Sequence, residues 1–108
     1  MAEITVQEIT YKGLVMTYEE PETVNFFYNT GSCFVFVRNT SASAITVGVS
    51  VENECKYGFI HPLYRTVEAS EQCIILLSPG RFNNSEGKTT FTCSAVTDIE
   101  VAVGKVVE

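Results

Sequence analysis

Thirty-three of the 108 residues are β-branched, with 14 Val, 7 Ile and 12 Thr, while Leu and Ala number only 4 and 6. Side chains branched at Cβ are stiff about χ1 and pack well on a pleated surface, so this chain is built to form strands. A helical bundle is excluded. Alternation sharpens the point: Ile45, Val47, Val49 and Val51 fall on one side, with Thr46, Gly48, Ser50 and Glu52 on the other. That period of two marks a strand with one buried and one solvated face.

Similar runs recur between short turns. Strands are expected at Ile4 to Ile9, Val24 to Tyr28, Cys33 to Arg38, Ala44 to Glu52, Tyr64 to Ala69, Gln72 to Leu77, Lys88 to Val96 and Ile99 to Val107. Gly13 to Tyr18 reads as a further extended segment, and Pro21 breaks the chain after it. Cys33 to Arg38 has no polar face, which predicts a central strand covered on both sides. Asn29-Thr30-Gly31-Ser32, Asn39 to Ser43, Ser78-Pro79-Gly80 and Asn83 to Gly87 carry turn chemistry. The expected fold is all-β: one antiparallel β-sandwich domain over residues 1–108, jelly-roll-like or immunoglobulin-like, with about eight short strands. The chain has no Trp, so the Cys-Trp-Cys hallmark of true immunoglobulin domains is missing.

Charge narrows the partners. Thirteen acidic and seven basic residues leave a net charge of −6, and the basic residues are scattered from Lys12 to Lys105. Nucleic-acid binding requires clustered Lys and Arg, so no nucleic-acid partner is expected. Glu19, Glu20 and Glu22 around Pro21 form the tightest acidic cluster; a hard cation or a basic partner would fit it, and a solvated turn is its commoner meaning. No apolar run approaches the ~18 residues of a membrane helix, and Met-Ala-Glu-Ile-Thr-Val does not resemble a secretion signal. Synthesis in a reducing cytoplasm is therefore expected, with no membrane partner. Cys33, Cys55, Cys73 and Cys93 are widely spaced without a C-x-x-C pair, so free thiols are the expected state.

Catalytic chemistry finds no foothold. Nucleophilic catalysis needs a nucleophile beside an oriented base. The single histidine, His61, precedes Pro62 in the loosest stretch of the chain. One His with dispersed Cys does not make a zinc set, and no phosphate loop or dinucleotide fingerprint occurs. No enzyme activity, metal or cofactor is expected. What remains is surface suited to binding protein. Tyr57, Phe59, Ile60, Leu63 and Tyr64 crowd apolar groups into a stretch that otherwise reads as loop, and such groups favour interfaces. Arg81, Phe82 and Asn83 form a second candidate, and Phe26-Phe27-Tyr28 a third. Core burial explains each of these stretches too.

Four stretches together carry a resemblance: Ile4 to Thr10, Phe36 to Val47, Leu77 to Gly87 and Phe91 to Val103. Their order and content resemble small proteins encoded among the head genes of tailed bacteriophages, most of all capsid decoration, or cement, proteins. The stretch from Glu52 to Ser70 lies outside this likeness. The resemblance implies a structural virion protein on the capsid surface, made in the host bacterial cytoplasm, whose partner is the major capsid protein. It also implies a homo-oligomer, a trimer at threefold sites. An N-terminal arm over residues 1–9, bearing Ile4 and Val6, would then add a strand to a neighbour's sheet. The alternatives are a head–tail connector, neck or tail component of the same virion, or a carbohydrate-binding sandwich for host attachment.

Overall fold

The computed structural model describes residues 2–10, 12–31, 33–50, 63–77, 82–84 and 86–106. Among these residues run nine strands: β1 (Ala2–Glu3), β2 (Val6–Ile9), β3 (Val24–Tyr28), β4 (Cys33–Asn39), β5 (Ile45–Val49), β6 (Leu63–Val67), β7 (Gln72–Leu77), β8 (Lys88–Cys93) and β9 (Ile99–Val106). Sheet 1 has the order β1-β3-β8-β5-β6 and sheet 2 the order β2-β9-β4-β7. The protein is an all-β sandwich whose sheets stay open rather than closing into a barrel.

One core joins the two layers. Phe27, Val47, Phe91 and Cys93 point inward from sheet 1 to meet Cys33, Val35, Leu77, Val101 and Val103 from sheet 2. Alternation is clearest along β3, β4, β7 and β8. Along β4, Cys33, Val35, Val37 and Asn39 are buried, whereas Phe34, Phe36 and Arg38 face outward and are half-buried. In β5, Ile45, Val47 and Val49 are buried, as their spacing predicts. β-Branched residues fill most of these inward positions because their fixed χ1 holds them perpendicular to the sheet.

Polar side chains close the strand ends. Asn39 is buried at the end of β4, and its Nδ2 donates to the carbonyls of Ser43 and Val67 at 2.9 and 3.0 Å. Its Oδ1 accepts from the Ser41 amide at 2.9 Å, so one side chain shapes the turn and ties it to β6. Before β8, Asn84 Oδ1 accepts from the amides of Glu86 and Lys88, and Gly87 supplies the positive φ of 79° that turns the chain into the strand.

Several expectations are corrected. The N-terminal run is two strands rather than one, and it crosses between sheets. β1 pairs with β3 and β2 with β9, both in parallel, so the sandwich is mixed rather than purely antiparallel. The segment expected to act as an arm is thus bonded into its own chain, and Ile4 at the crossover is 2% exposed in the core. Gly13 to Tyr18 forms no strand. It straps over the edge of sheet 2, where Gln7 bonds both main-chain groups of Thr17 at 2.7 and 3.0 Å and Glu19 bridges to Val101. The strand expected through Val96 ends at Cys93.

Candidate interaction surface

Among the described residues, those singled out from sequence do not assemble into one patch. Tyr57, Phe59, Ile60 and Arg81 lie outside the described residues, as do His61 and Cys55. Phe82 is 6% exposed and joins the core, as does Ile4, so neither ring nor side chain is presented to a partner. Val6 and Leu63 are half-buried and pack against the same core. Asn83 works internally: its Nδ2 donates to the carbonyl of Asn29 at 2.8 Å, and its Oδ1 accepts from Thr89 Oγ1 at 2.7 Å. Among the described candidates Tyr64 stands out furthest from the surface, 68% exposed on the outer face of sheet 1 beside Gly48, and Tyr28 is exposed as well.

The outer face of sheet 1 is largely polar. Thr46, Thr66, Thr90 and Thr92 point outward from β5, β6 and β8. Phe26 and Tyr28 form an edge-to-face pair with centroids 6.0 Å apart. Lys88 Nζ lies 4.9 Å from the first ring and 5.6 Å from the second, while 3.6 Å from the Glu86 carboxylate. These aromatic groups are small islands within a hydroxyl-bearing surface.

Sheet 2 presents the opposite character. Phe34 and Phe36 point outward from β4, and pairing sets them opposite Leu76 and Ile74 of β7. Ile74 is 62% and Leu76 57% exposed, and the two phenyl rings stand 6.4 Å apart. Beyond them, Ala102 and Gly104 of β9 continue the face without charge. The strap covers this far side, where Met16 Cε and Ile9 Cδ1 would lie within 3.0 Å of any Cβ at position 104. One end of the face is polar. Arg38 pairs with Glu100 at 3.2 Å and stacks 4.0 Å over the Tyr18 ring. Among the described residues, an uncharged strip over β4 and β7 is therefore left open between the strap and the sheet edge. Contiguous exposed apolar surface of this kind marks interaction sites.

Among the described residues, no group of three or more His, Cys, Asp or Glu side chains is placed to hold a metal ion. A cleft of about 280 Å³ between the strap and the β1–β2 crossover has Glu19 as its one ionisable lining residue among the described residues. Cys33, Cys73 and Cys93 are unpaired thiols. Burial pushes the Cys93 thiol up to about 11. Burial also raises Cys33, partly opposed by Lys105 and by backbone hydrogen bonds from Gly31 and Thr30. Such thiols are poor nucleophiles near neutral pH.

Sequence reasoning missed the apolar strip because it assigned Cys33 to Arg38 a cover on both sides. The available signal was the charge-free Ile74-Ile75-Leu76-Leu77 run, which supplies a second apolar face beside the first. Among the described residues, no helix is long and apolar enough to cross a membrane. Comparison of the chain with protein-family models, with curated proteins and with solved structures gives no match.

Proposed function

We propose that the protein is a structural virion component of a tailed bacteriophage that binds the outer capsid surface and steadies contacts between capsomers. The single observation that supports this reading is the uncharged apolar strip of Phe34, Phe36, Ile74 and Leu76 on the outer face of sheet 2. A rigid sheet presents that strip with little ordering cost on binding, which favours docking on another folded protein. The four-stretch sequence resemblance supplies the identity of the partner, the major capsid protein. Many copies bridging neighbouring subunits resist outward pressure additively, so each contact can be weak. An acidic exterior keeps crowded copies soluble and away from packaged DNA.

The deciding experiment is quantitative mass spectrometry and electron microscopy of purified particles from the phage that encodes the chain. A capsid-surface protein is expected at on the order of hundreds of copies, distributed by the shell's symmetry. A count of about a dozen or fewer at one vertex would overturn this in favour of the connector or neck reading. Complete absence from the particle would remove both.

A further inference from the structure

The strap is held to sheet 2 by two unlike fastenings. At Glu19 the main chain holds it: the Glu19 amide donates to the Val101 carbonyl at 2.9 Å, and the Val101 amide donates back at 2.8 Å. At Thr17 both bonds instead go to the end of one side chain, the carboxamide of Gln7, in an exposed setting. A main-chain pair of the first kind belongs to the sheet and opens with it, whereas exposed bonds of the second kind exchange readily with water. The far end of the span is Gly13, whose φ of 88° and amide bonded to the Thr10 carbonyl at 2.9 Å form a tight turn. Such a turn can absorb the backbone rotation of a hinge.

The span between these points, residues 14–17, is lightly anchored. Val15 is 93% and Leu14 41% exposed, while Met16 is half-buried and reaches down to place its Cε over Gly104. Beneath Thr17 and Glu19 the cleft of about 280 Å³ stays open, in contrast to the close packing on the inner side of the same sheet. Gly104 lies opposite Phe34, and the next outward position of β9, Ala102, lies opposite Phe36. These two small residues leave a trough alongside the apolar strip, and the chain's own Met16 occupies one end of it.

We propose that residues 14–17 form a lid that lifts about Gly13 while the rest of the fold stays intact, withdrawing Met16 from Gly104 and widening the cleft over Ala102. Opening extends the strip of Phe34, Phe36, Ile74 and Leu76 from two strands onto a third, β9. The lid thereby sets how broad an apolar face the sandwich presents. Its movement needs no partner, since every bond that holds or releases it lies within this chain. Its use in docking rests on the virion reading: the closed form narrows the face of a free copy, and a capsid subunit that binds the broader face draws out the open form.

Native-state amide hydrogen exchange and dye binding on the free chain test the lid. Corrected for intrinsic rates, the Thr17 amide is expected to exchange at least about a hundredfold faster than the β4 amides, with little urea dependence. The Glu19 and Val101 amides are expected to stay at least about tenfold slower than Thr17. Gln7→Ala removes both Thr17 bonds and Met16→Ala removes the contact with Gly104. Each variant should keep β4 protected and raise Nile red fluorescence at least about threefold over the wild type. A Thr17 amide that exchanges only through global unfolding, together with β4, overturns the proposal. So does an opening that releases Glu19 and Val101 along with Thr17, because the whole N-terminal segment then frays and no lid moves. Folded variants that both bind Nile red as the wild type does overturn it too, since the apolar face has not widened. Absence of the chain from particles would remove the virion reading and leave the lid standing; a Thr17 amide as protected as β4, in a chain found on capsids, would do the reverse.

Discussion

The two sheets are alike on their inner faces and unlike on their outer ones. Inward, both offer β-branched and aromatic residues to a shared core: Val47 and Phe91 from one, Val35 and Val101 from the other. Outward, sheet 1 offers threonines, whereas sheet 2 offers Phe34, Phe36, Ile74 and Leu76. Folding requires only the inner alternation, since threonine on a solvated face satisfies a strand as well as isoleucine does. The outward apolar set of sheet 2 is therefore in excess of what the fold needs. That excess is where binding is sought.

The largest expected effect comes from cutting the element both sheets share. Phe91 is fully buried and tilts against Phe27 with centroids 6.3 Å apart. Phe91→Ala should cost about 3–5 kcal/mol in a urea titration, because the cavity opens toward both layers. A loss under about 1 kcal/mol would mean that the sheets do not depend on a common core.

A second effect contrasts the thiols facing that core. Cys93 on sheet 1 is neutral in the fold up to about pH 11, whereas its unfolded value is 9.0. Above pH 9 the unfolded chain releases this proton and the folded chain keeps it, so stability falls as pH rises toward 11. The loss is on the order of 2 kcal/mol. Cys93→Val should flatten that part of the alkaline slope relative to the wild type, and an unchanged slope would show that Cys93 ionises freely in the fold.

The smallest effect compares one substitution on the two outer faces. A Cβ at Gly104 would meet Ile9 Cδ1 at 2.7 Å and Met16 Cε at 3.0 Å, beneath the strap. A Cβ at Gly48 would meet Thr92 Oγ1 at 3.0 Å and the Tyr64 ring at 3.1 Å, but that ring is largely in solvent and can swing away. Gly104→Val should cost about 1–3 kcal/mol and Gly48→Val less than about 1 kcal/mol. Equal costs in thermal melts would mean that the strap does not hold its side of sheet 2.

What was legible in the sequence is local. Ile45, Val47 and Val49 announced β5 and its buried face, because alternation is written along one strand. The all-β sandwich followed from the repetition of such runs. Partnership was not legible. Val6 pairs with Val103 across almost the whole chain, and no local pattern states that the first strands run parallel to their neighbours. Phe82 illustrates the same limit. Within a turn it looked like a displayed ring, yet it is buried in the core, which only the packed structure can specify. The apolar strip was missed for a related reason: Phe34 and Ile74 belong to different runs, and each run alone is consistent with double-sided burial.

The parallel pairing of β2 with β9 carries a mechanical consequence. Four rungs, from Val6–Val103 to Ile9–Val106, join the first long strand to the last. Because both strands point the same way, tension applied ahead of β2 and beyond β9 drags one lengthwise past the other. The slanted bonds of a parallel ladder then bear the load simultaneously instead of peeling apart in turn. A chain clamped in this manner yields abruptly at high force, as single-molecule extension would record, rather than unravelling by degrees from either end.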